Sequence, residues 1–339
     1  VILGFVKALN ELGITPDIIC LKMAFSENEI RDKYGSELKM NIKQFIPFIP
    51  WKRIPQDFQV LFFNPFLRLF TKKYNLIIDS SESQLFLPKN DSIISYVHFP
   101  REYRLFSSEH NIHILGKKFK TFSVDNFTRI TLKSIYKILK PKPCPKILCN
   151  SLFTKSCFRQ AYPNPTNEIS VVYPPVRIDN YKNGKEVREK AVVSLGRIEI
   201  NKRQLEVIKL AESLPNIAFH IIGFVDKPSY FNLCVEYIQD HKLNNVFMHP
   251  NATLKQAIAL LQSSKYFLHT SINEPFGLSA VQAISAGCIP IVHNSGGQCE
   301  TVPIEELRYE NISEVTEIIN HLESLQDDIL FSIVNNLQM

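Results

Sequence analysis

Short, almost wholly apolar runs recur along the chain with amphipathic stretches between them, and the series occurs twice. In the first half the runs are Asp17-Ile18-Ile19-Cys20-Leu21, Leu76-Ile77-Ile78-Asp79, Ile93-Ile94-Ser95-Tyr96-Val97 and Lys146-Ile147-Leu148-Cys149. In the second they are Ala191-Val192-Val193-Ser194-Leu195, Ala218-Phe219-His220-Ile221-Ile222, Tyr266-Phe267-Leu268-His269 and Ile289-Pro290-Ile291-Val292. A strand that is apolar on both faces must be covered on both. Alternation with helical stretches such as Lys202 to Leu214, Leu254 to Gln262 and Leu278 to Ala286 therefore predicts parallel sheets between layers of helices. The two series lie on either side of Tyr173-Pro174-Pro175-Val176, where the proline pair stiffens the chain. The polar stretch from Arg177 to Lys190 follows, with Asn183-Gly184 marking a turn. The expected fold class is α/β, with two Rossmann-like doubly wound domains, residues 1–175 and 176–339, facing across a cleft at the carboxyl ends of their sheets.

The chain begins at Val1, already in helical spacing that runs to Leu9 and stops at Gly13. The expectation is a fragment whose first strand and following loop precede Val1, with an N-terminal anchor ahead of it left open. Lys7 and Glu11 interrupt the opening segment, which speaks against a signal peptide. No apolar run reaches the ~18 residues that a membrane-spanning helix needs. The seven cysteines are odd in number and scattered, without a CxxC or zinc-like Cys/His spacing, so buried reduced thiols in a cytosolic protein are expected rather than a metal centre or a disulfide framework.

The net charge of +6 conceals an asymmetry. Residues 1–175 carry 25 Lys and Arg against 14 Asp and Glu, whereas residues 176–339 carry 14 against 19. Residues 113–146 alone hold nine cations (Lys117, Lys118, Lys120, Arg129, Lys133, Lys137, Lys140, Lys142 and Lys146) against Asp125. Lys133, Lys137 and Lys140 recur at helical spacing, with Leu132, Ile135, Tyr136, Ile138 and Leu139 among them, a pattern suited to an anionic membrane surface. A charged helix face over an ordinary core reads the same way. Nucleic acid is not expected, because no recognition motif accompanies the charge. The aromatic and basic segment from Phe58 to Lys73 is a second candidate for a lipid-facing surface, with core packing as its alternative.

The motifs with chemical content cluster in the second half. The strand ending at Leu195 runs into Gly196-Arg197, and Lys202 follows five residues after Arg197, ahead of a helix. Arg grips two phosphate oxygens and Lys adds a point charge, so the pair suits an anionic ligand at a helix start. Next, His269-Thr270 leads through Ser271-Ile272-Asn273 to Glu274-Pro275-Phe276-Gly277, with a helix opening at about Leu278. The first amides of that helix lack internal partners and are free for phosphate or sugar oxygens. Glu274, before the helix, can accept hydrogen bonds from sugar hydroxyls, and Gln282 on the helix can reach a ribose. His293-Asn294-Ser295-Gly296-Gly297 then closes a further strand with two glycines that permit close backbone approach.

These motifs, in this order, resemble the donor-binding half of retaining glycosyltransferases of family 4, which have the GT-B fold. Asn150-Ser151-Leu152-Phe153-Thr154 and Tyr173-Pro174-Pro175-Val176 extend the resemblance into the first domain. Tyr96-Val97-His98-Phe99-Pro100, with the details around His269 and Ser295, is most similar to the mannosyltransferases that extend dolichol-linked oligosaccharides. The resemblance implies a nucleotide-sugar donor such as GDP-mannose, a lipid-linked saccharide acceptor, no metal or other cofactor, and a peripheral place on the cytosolic face of a membrane. It implies that Arg197 and Lys202 hold the donor diphosphate, and that Glu274 contacts the donor sugar beside the Phe276, Gly277 and Leu278 amides. His98 would face the sugar as a catalytic group, with a buried structural histidine as the alternative. Gly223 and the Asn251-Ala252-Thr253 turn would lie near the nucleotide, with Gln282 on the ribose.

The sequence departs from the family pattern in two places. Gln282 stands where the family has the second glutamate of a Glu-x7-Glu motif, and the Gly-rich loop after the first strand would precede Val1. These departures keep two further readings in view: a catalytically silent module that binds sugar nucleotides or membranes, and a GT-B-fold sugar-nucleotide epimerase.

Overall fold

The computed structural model describes residues 2–20, 38–44, 74–80, 92–107, 111–114, 117–120, 126–139, 143–163, 168–176, 181 and 188–338. Among the sequence expectations, the Phe58–Lys73 segment, Lys140, Lys142 and Asn183-Gly184 lie outside these residues. The chain packs as two compact units. One comprises Val1–Tyr96, Phe127–Ile147 and Thr166–Glu168; the other comprises Val97–Asn126, Leu148–Pro165 and Ile169–Met339.

The described elements begin with α1 (Ile2–Glu11), β1 (Asp17–Cys20), β2 (Asn41–Gln44), β3 (Ile77–Asp79), β4 (Ile93–Val97) and α2 (Arg101–Ser107). They continue with β5 (Asn111–Ile114), β6 (Lys117–Lys120), α3 (Asn126–Leu139), β7 (Lys146–Cys149), α4 (Leu152–Ala161) and β8 (Glu168–Val171). The four apolar runs read from the first half are all strands, and three of them fall in a four-stranded sheet of order β3-β4-β7-β8. The fourth, β1, pairs in parallel with β2, a polar segment that no apolar periodicity marks. The basic stretch holds a further unanticipated feature, the antiparallel pair β5-β6.

The second half is a doubly wound sheet. Its elements are β9 (Glu189–Leu195), α5 (Gln204–Leu210), β10 (Ala218–Gly223), α6 (Pro228–Asp240), β11 (Val246–Pro250), α7 (Leu254–Ser263) and β12 (Ser264–His269). There follow α8 (Leu278–Ser285), β13 (Ile289–His293), α9 (Gln298–Thr301), β14 (Arg308–Tyr309), α10 (Glu314–Ser324) and α11 (Asp327–Gln338). The strand order is β11-β10-β9-β12-β13-β14, and every pairing is parallel. Numbered from β9, this is the 3-2-1-4-5-6 order of dinucleotide-binding folds. The sheet's topological switch point lies between β9 and β12, and the Gly-Arg and Glu-Pro-Phe-Gly motifs follow those two strands. Val192, Val193, Phe219, Ile221, Phe267, Leu268, Ile291 and Val292 are all fully buried, which is why these strands show no polar alternation.

The elements start and stop for local reasons. Thr253 and Gln256 form a reciprocal capping box at the start of α7. Gly287, at φ +89°, ends α8 in the left-handed conformation that glycine adopts without steric cost. Arg188 then ties the carboxyl ends of α7 and α8 together, donating to the carbonyls of Leu261 (3.0 Å), Ser264 (2.7 Å) and Ala286. The expected helix from Lys202 to Leu214 is more broken than its periodicity suggests. Ile200–Lys202 form a 3-10 turn, Arg203 takes a left-handed φ of 53°, and α-helix runs only from Gln204 to Leu210 before a second 3-10 turn.

All seven cysteines are free. Cys20 and Cys299 are partly exposed and the rest are buried. No helix among the described residues is long and apolar enough to cross a membrane.

Glu323, on α10, binds the start of β9 and β12 through Lys190, Lys265 (2.7 Å) and the Tyr266 hydroxyl. Burial favours its neutral form, but these hydrogen bonds outweigh it and draw the carboxyl from 4.5 down to about 2. A depressed carboxylate contributes stability above its unfolded value and loses it as the pH falls through the folded one. The contribution is therefore complete at neutral pH and disappears between about pH 5 and pH 2. Glu323→Gln is expected to remove about 2 kcal/mol at pH 7 and to flatten the acid side of the stability curve, measured by urea unfolding across that range.

Candidate active site

At the switch point, β9 delivers Gly196-Arg197 and β12 delivers the loop to Glu274. Gly196 is fixed to the neighbouring strand by its amide bond to the Ile222 carbonyl, at 3.0 Å. Gly223 ends β10 so close to this turn that a Cβ there would lie 1.7 Å from the Gly196 carbonyl oxygen. Only a residue without a side chain fits. Arg197 points outward with a 61% exposed side chain, paired with Glu199 at 2.9 Å and Asp226 at 3.9 Å. Its carbonyl accepts a hydrogen bond from the Gln204 side-chain Nε2, which anchors the loop to α5. Glu199 is buried, and desolvation raises its pKa despite Arg197 beside it.

Lys202 and Glu274 meet directly. The Lys202 Nζ lies 2.7 Å from the Glu274 Oε2, both side chains about one-fifth exposed. Burial alone would raise the Glu274 pKa. The charge of Lys202 and its hydrogen bond outweigh it, leaving the carboxyl below its ordinary value. Thr270 sets the Lys202 main chain, donating its hydroxyl to the Lys202 carbonyl at 2.6 Å. His269, one residue earlier, is buried, and desolvation lowers its pKa to about 4, so it is neutral at physiological pH.

The turn carrying Glu274 is held from several sides. Asn273, at φ 54°, donates its amide to the Ser295 hydroxyl at 2.9 Å, and Ser295 in turn contacts the His293 Nδ1 at 2.9 Å. The Gly297 amide donates to the Glu274 carbonyl at 2.7 Å. A Cβ on Gly297 would lie 2.1 Å from the Pro275 carbonyl oxygen. The Ser-Gly-Gly motif is thus explained as a backbone seat for the Glu-Pro-Phe-Gly turn. Gln298, completely buried, supports the same region by donating to the carbonyls of Ser271 (2.9 Å) and His293 (2.8 Å). Gly277, at φ +97°, turns the chain into α8, leaving Leu278 exposed at the helix start while Phe276 is buried against Tyr173.

Arg197, Lys202, Gly223, Glu274, Phe276, Gly277 and Leu278 therefore lie at the carboxyl end of one sheet, and Lys202 and Glu274 touch. Gln282 lies one turn into α8, partly exposed. His98 follows β4, half-buried, with its pKa lowered chiefly by desolvation. Its carbonyl accepts a hydrogen bond from the Thr154 hydroxyl at 3.3 Å. A cavity of about 310 Å³ opens beside Thr270, lined by Arg203, Glu206, Tyr309 and Glu310 among others. No group of three metal-ligating side chains occurs among the described residues.

Sequence reading did not assign roles to Ser295, Gln298, Thr270 or Glu300. Glu300 accepts the amides of Leu152 (2.8 Å) and Phe153 (2.9 Å) at the start of α4. Ser151 is the N-cap of α4, a position that suits serine. Its hydrogen bond to the Pro275 carbonyl, at 2.6 Å, joins segments far apart in the chain.

With this geometry in view, comparison with known proteins places the chain. Its fold is that of GT-B glycosyltransferases. It superimposes on a glycosyltransferase from Rickettsia africae ESF-5 with a TM-score of 0.65, at 19% identity over 98% of this chain and 86% of that one. For a sucrose-phosphate synthase from Thermosynechococcus elongatus the TM-score is 0.71, at 14% identity over 99% and 86%. Residues 177–328 match the family model described as glycosyl transferases group 1. Among curated proteins, the chain is 25% identical over 206 residues to the alpha-1,3/1,6-mannosyltransferase ALG2 of Rhizomucor pusillus, covering 47% of this chain and 45% of that one. It is also 25% identical over 273 residues to a GDP-Man:Man(3)GlcNAc(2)-PP-Dol alpha-1,2-mannosyltransferase of Dictyostelium discoideum, covering 70% and 52%. The chain thus spans about half the length of the curated relatives it matches.

The backbone seat is testable by contrast. Gly196→Ala is expected to be tolerated, because its Cβ would meet only the flexible Lys202 side chain at 3.6 Å. Gly297→Ala would force the Pro275 carbonyl aside and is expected to cost about 2 kcal/mol or more in urea unfolding.

Proposed function

We propose that this chain belongs to a retaining glycosyltransferase that moves a hexose, mannose, from a nucleoside diphosphate sugar (GDP-mannose) to a lipid-linked saccharide. The observation that carries this reading is the Lys202–Glu274 pair at the switch point of the sheet, beside the start of α8. Without donor, the cation and the carboxylate neutralise one another. A diphosphate arriving at the Gly-Arg loop offers Lys202 a stronger partner. Lys202 then turns to phosphate, and Glu274 is released to accept hydrogen bonds from sugar hydroxyls. Arg197, tied to Glu199 and Asp226, changes partners in the same way.

In this reading Arg197, Lys202 and the first amides of α8 neutralise the charge that grows on the leaving diphosphate, a preorganised electrostatic role that calls for no metal. As the family resemblance implies, the acceptor oxygen bonds to the sugar C1 on the face from which the phosphate oxygen departs, and its proton passes to the leaving phosphate. His98 serves the sugar as a neutral hydrogen-bonding group, in keeping with its lowered pKa.

The lipid-linked acceptor is supported by the similarity to the named mannosyltransferases and by the surface of α3. Leu132 and Tyr136 are buried, whereas Ile130 and Ile138 are 65% and 79% exposed, with Lys137 exposed beside them. Exposed apolar residues among cations suit peripheral attachment to an anionic bilayer, here assigned to the cytosolic face. Gln282 favours a second reading, a sugar-nucleotide-binding module without transfer activity, because the charged ribose partner of the family is absent.

Calorimetric titration with GDP-mannose, UDP-glucose and the free diphosphates tests both readings. Binding to none of them would sink the donor-site assignment, and binding without sugar transfer by the full-length protein would favour the silent module. Arg197→Ala is expected to weaken nucleotide-sugar binding at least tenfold. Gln282→Glu is expected to strengthen it severalfold by adding a charged acceptor for the ribose.

A further inference from the structure

Around the Glu274 turn, a closed circuit of contacts links four segments of one packed unit, and the donor-site reading accounts for none of it. Ser151 is the N-cap of α4, completely buried, with its Oγ accepting the Thr154 amide at 2.9 Å. The same hydroxyl donates to the Pro275 carbonyl at 2.6 Å, one residue past Glu274. The next two amides of α4, on Leu152 and Phe153, donate to the two carboxylate oxygens of Glu300 at 2.8 and 2.9 Å. Glu300 also accepts the Tyr173 hydroxyl at 3.2 Å, and the Tyr173 ring lies 5.6 Å from that of Phe276. Phe276 is bonded to Pro275, which completes the ring.

We propose that Ser151 and Glu300 are positioning residues that hold the Glu274-Pro275-Phe276-Gly277 turn in register with the first turn of α4, and through it with His98. The physical basis is the free end of a helix. The first amides of α4 need acceptors, and an anion there is also favoured by the helix dipole. Glu300 supplies both oxygens. Its own helix, α9, begins immediately after Gly297, whose amide binds the Glu274 carbonyl at 2.7 Å. The turn is therefore gripped from two directions: through Gly297 from the side of α9, and through Ser151 from the side of α4. Thr154, completely buried in the same first turn of α4, holds the His98 carbonyl at 3.3 Å. One helical turn thus sets the main chain of both residues assigned to the donor sugar.

This inference rests on the reading of Glu274 as the sugar contact, and its test separates the two. Ser151→Ala, Ser151→Thr and Glu300→Gln would each be titrated with GDP-mannose and with GDP, and melting temperatures would establish that the variants fold. Of the groups assigned to the diphosphate, Arg197 and Lys202 lie outside the turn and only the first amides of α8 follow it, so GDP affinity is expected to change less than GDP-mannose affinity. The preference for GDP-mannose over GDP is expected to fall about fivefold in Ser151→Ala and Glu300→Gln, the loss of one hydrogen bond's worth of alignment, and to return in Ser151→Thr. A merely structural role would weaken both ligands together or neither, and either outcome overturns the proposal. Hydrogen exchange of residues 273–281 in the unliganded protein gives a second, independent measurement. It is expected to quicken in Ser151→Ala and Glu300→Gln relative to β10, and unchanged exchange would also overturn the proposal. If the wild type binds neither nucleotide, the donor-site reading fails, and exchange alone decides the positioning role.

Discussion

A lysine and a glutamate, each four-fifths removed from water, face one another across 2.7 Å, and most of the second sheet's connectivity serves to bring them there. Neither charge would be stable at that depth alone, because desolvation penalises an unpaired ion heavily. β9 and β12 lie side by side although three helices and two strands separate them in the chain, so the loops leaving them emerge together. Parallel pairing, full burial of both strands and the reversal of strand order between them are thus preconditions of the pair.

Around it, main-chain closeness does the positioning. Gly223 against Gly196 and Gly297 against Pro275 leave no room for even a methyl group. Two loops from β9 and β10 thereby behave as one body, as do those after β12 and β13. The side chains that matter are few because the backbone itself is the scaffold. Asn273 is held in a left-handed conformation that asparagine tolerates better than most residues. Arg203 has no such advantage, and Glu206, at 3.5 Å, is its ion-pair partner.

Much of this was legible in the chain itself. The apolar runs identified strands because buried parallel strands need no polar face, and Val192-Val193 or Phe267-Leu268 admit few other roles. The loop motifs marked the switch point, since glycine, arginine and lysine at a strand end have recognisable chemistry. What escaped was whatever depends on segments meeting at long range. β2, with its Lys43 and Gln44, lacks the signature of a strand and is one only because β1 offers it an edge. The helix after Lys202 reads as continuous from its apolar spacing, yet Arg203 interrupts it, because the Gly-Arg loop must bend before α5 can pack. Glu300 carries no local sequence signal, and only the long-range approach of the start of α4 gives it a role.

Cys299 stands beside Glu300 on α9, partly exposed, while five of the other six thiols are buried. Burial also raises its pKa, so its thiolate is scarce at neutral pH and its chemistry is slow. The protein therefore carries a native reporter one residue from the acid that caps α4. With Cys20 as the only other partly exposed thiol among the described residues, and far away in sequence, the rate at which a thiol reagent modifies Cys299 reads the opening of α9 over the His293-Asn294 segment without any engineered label.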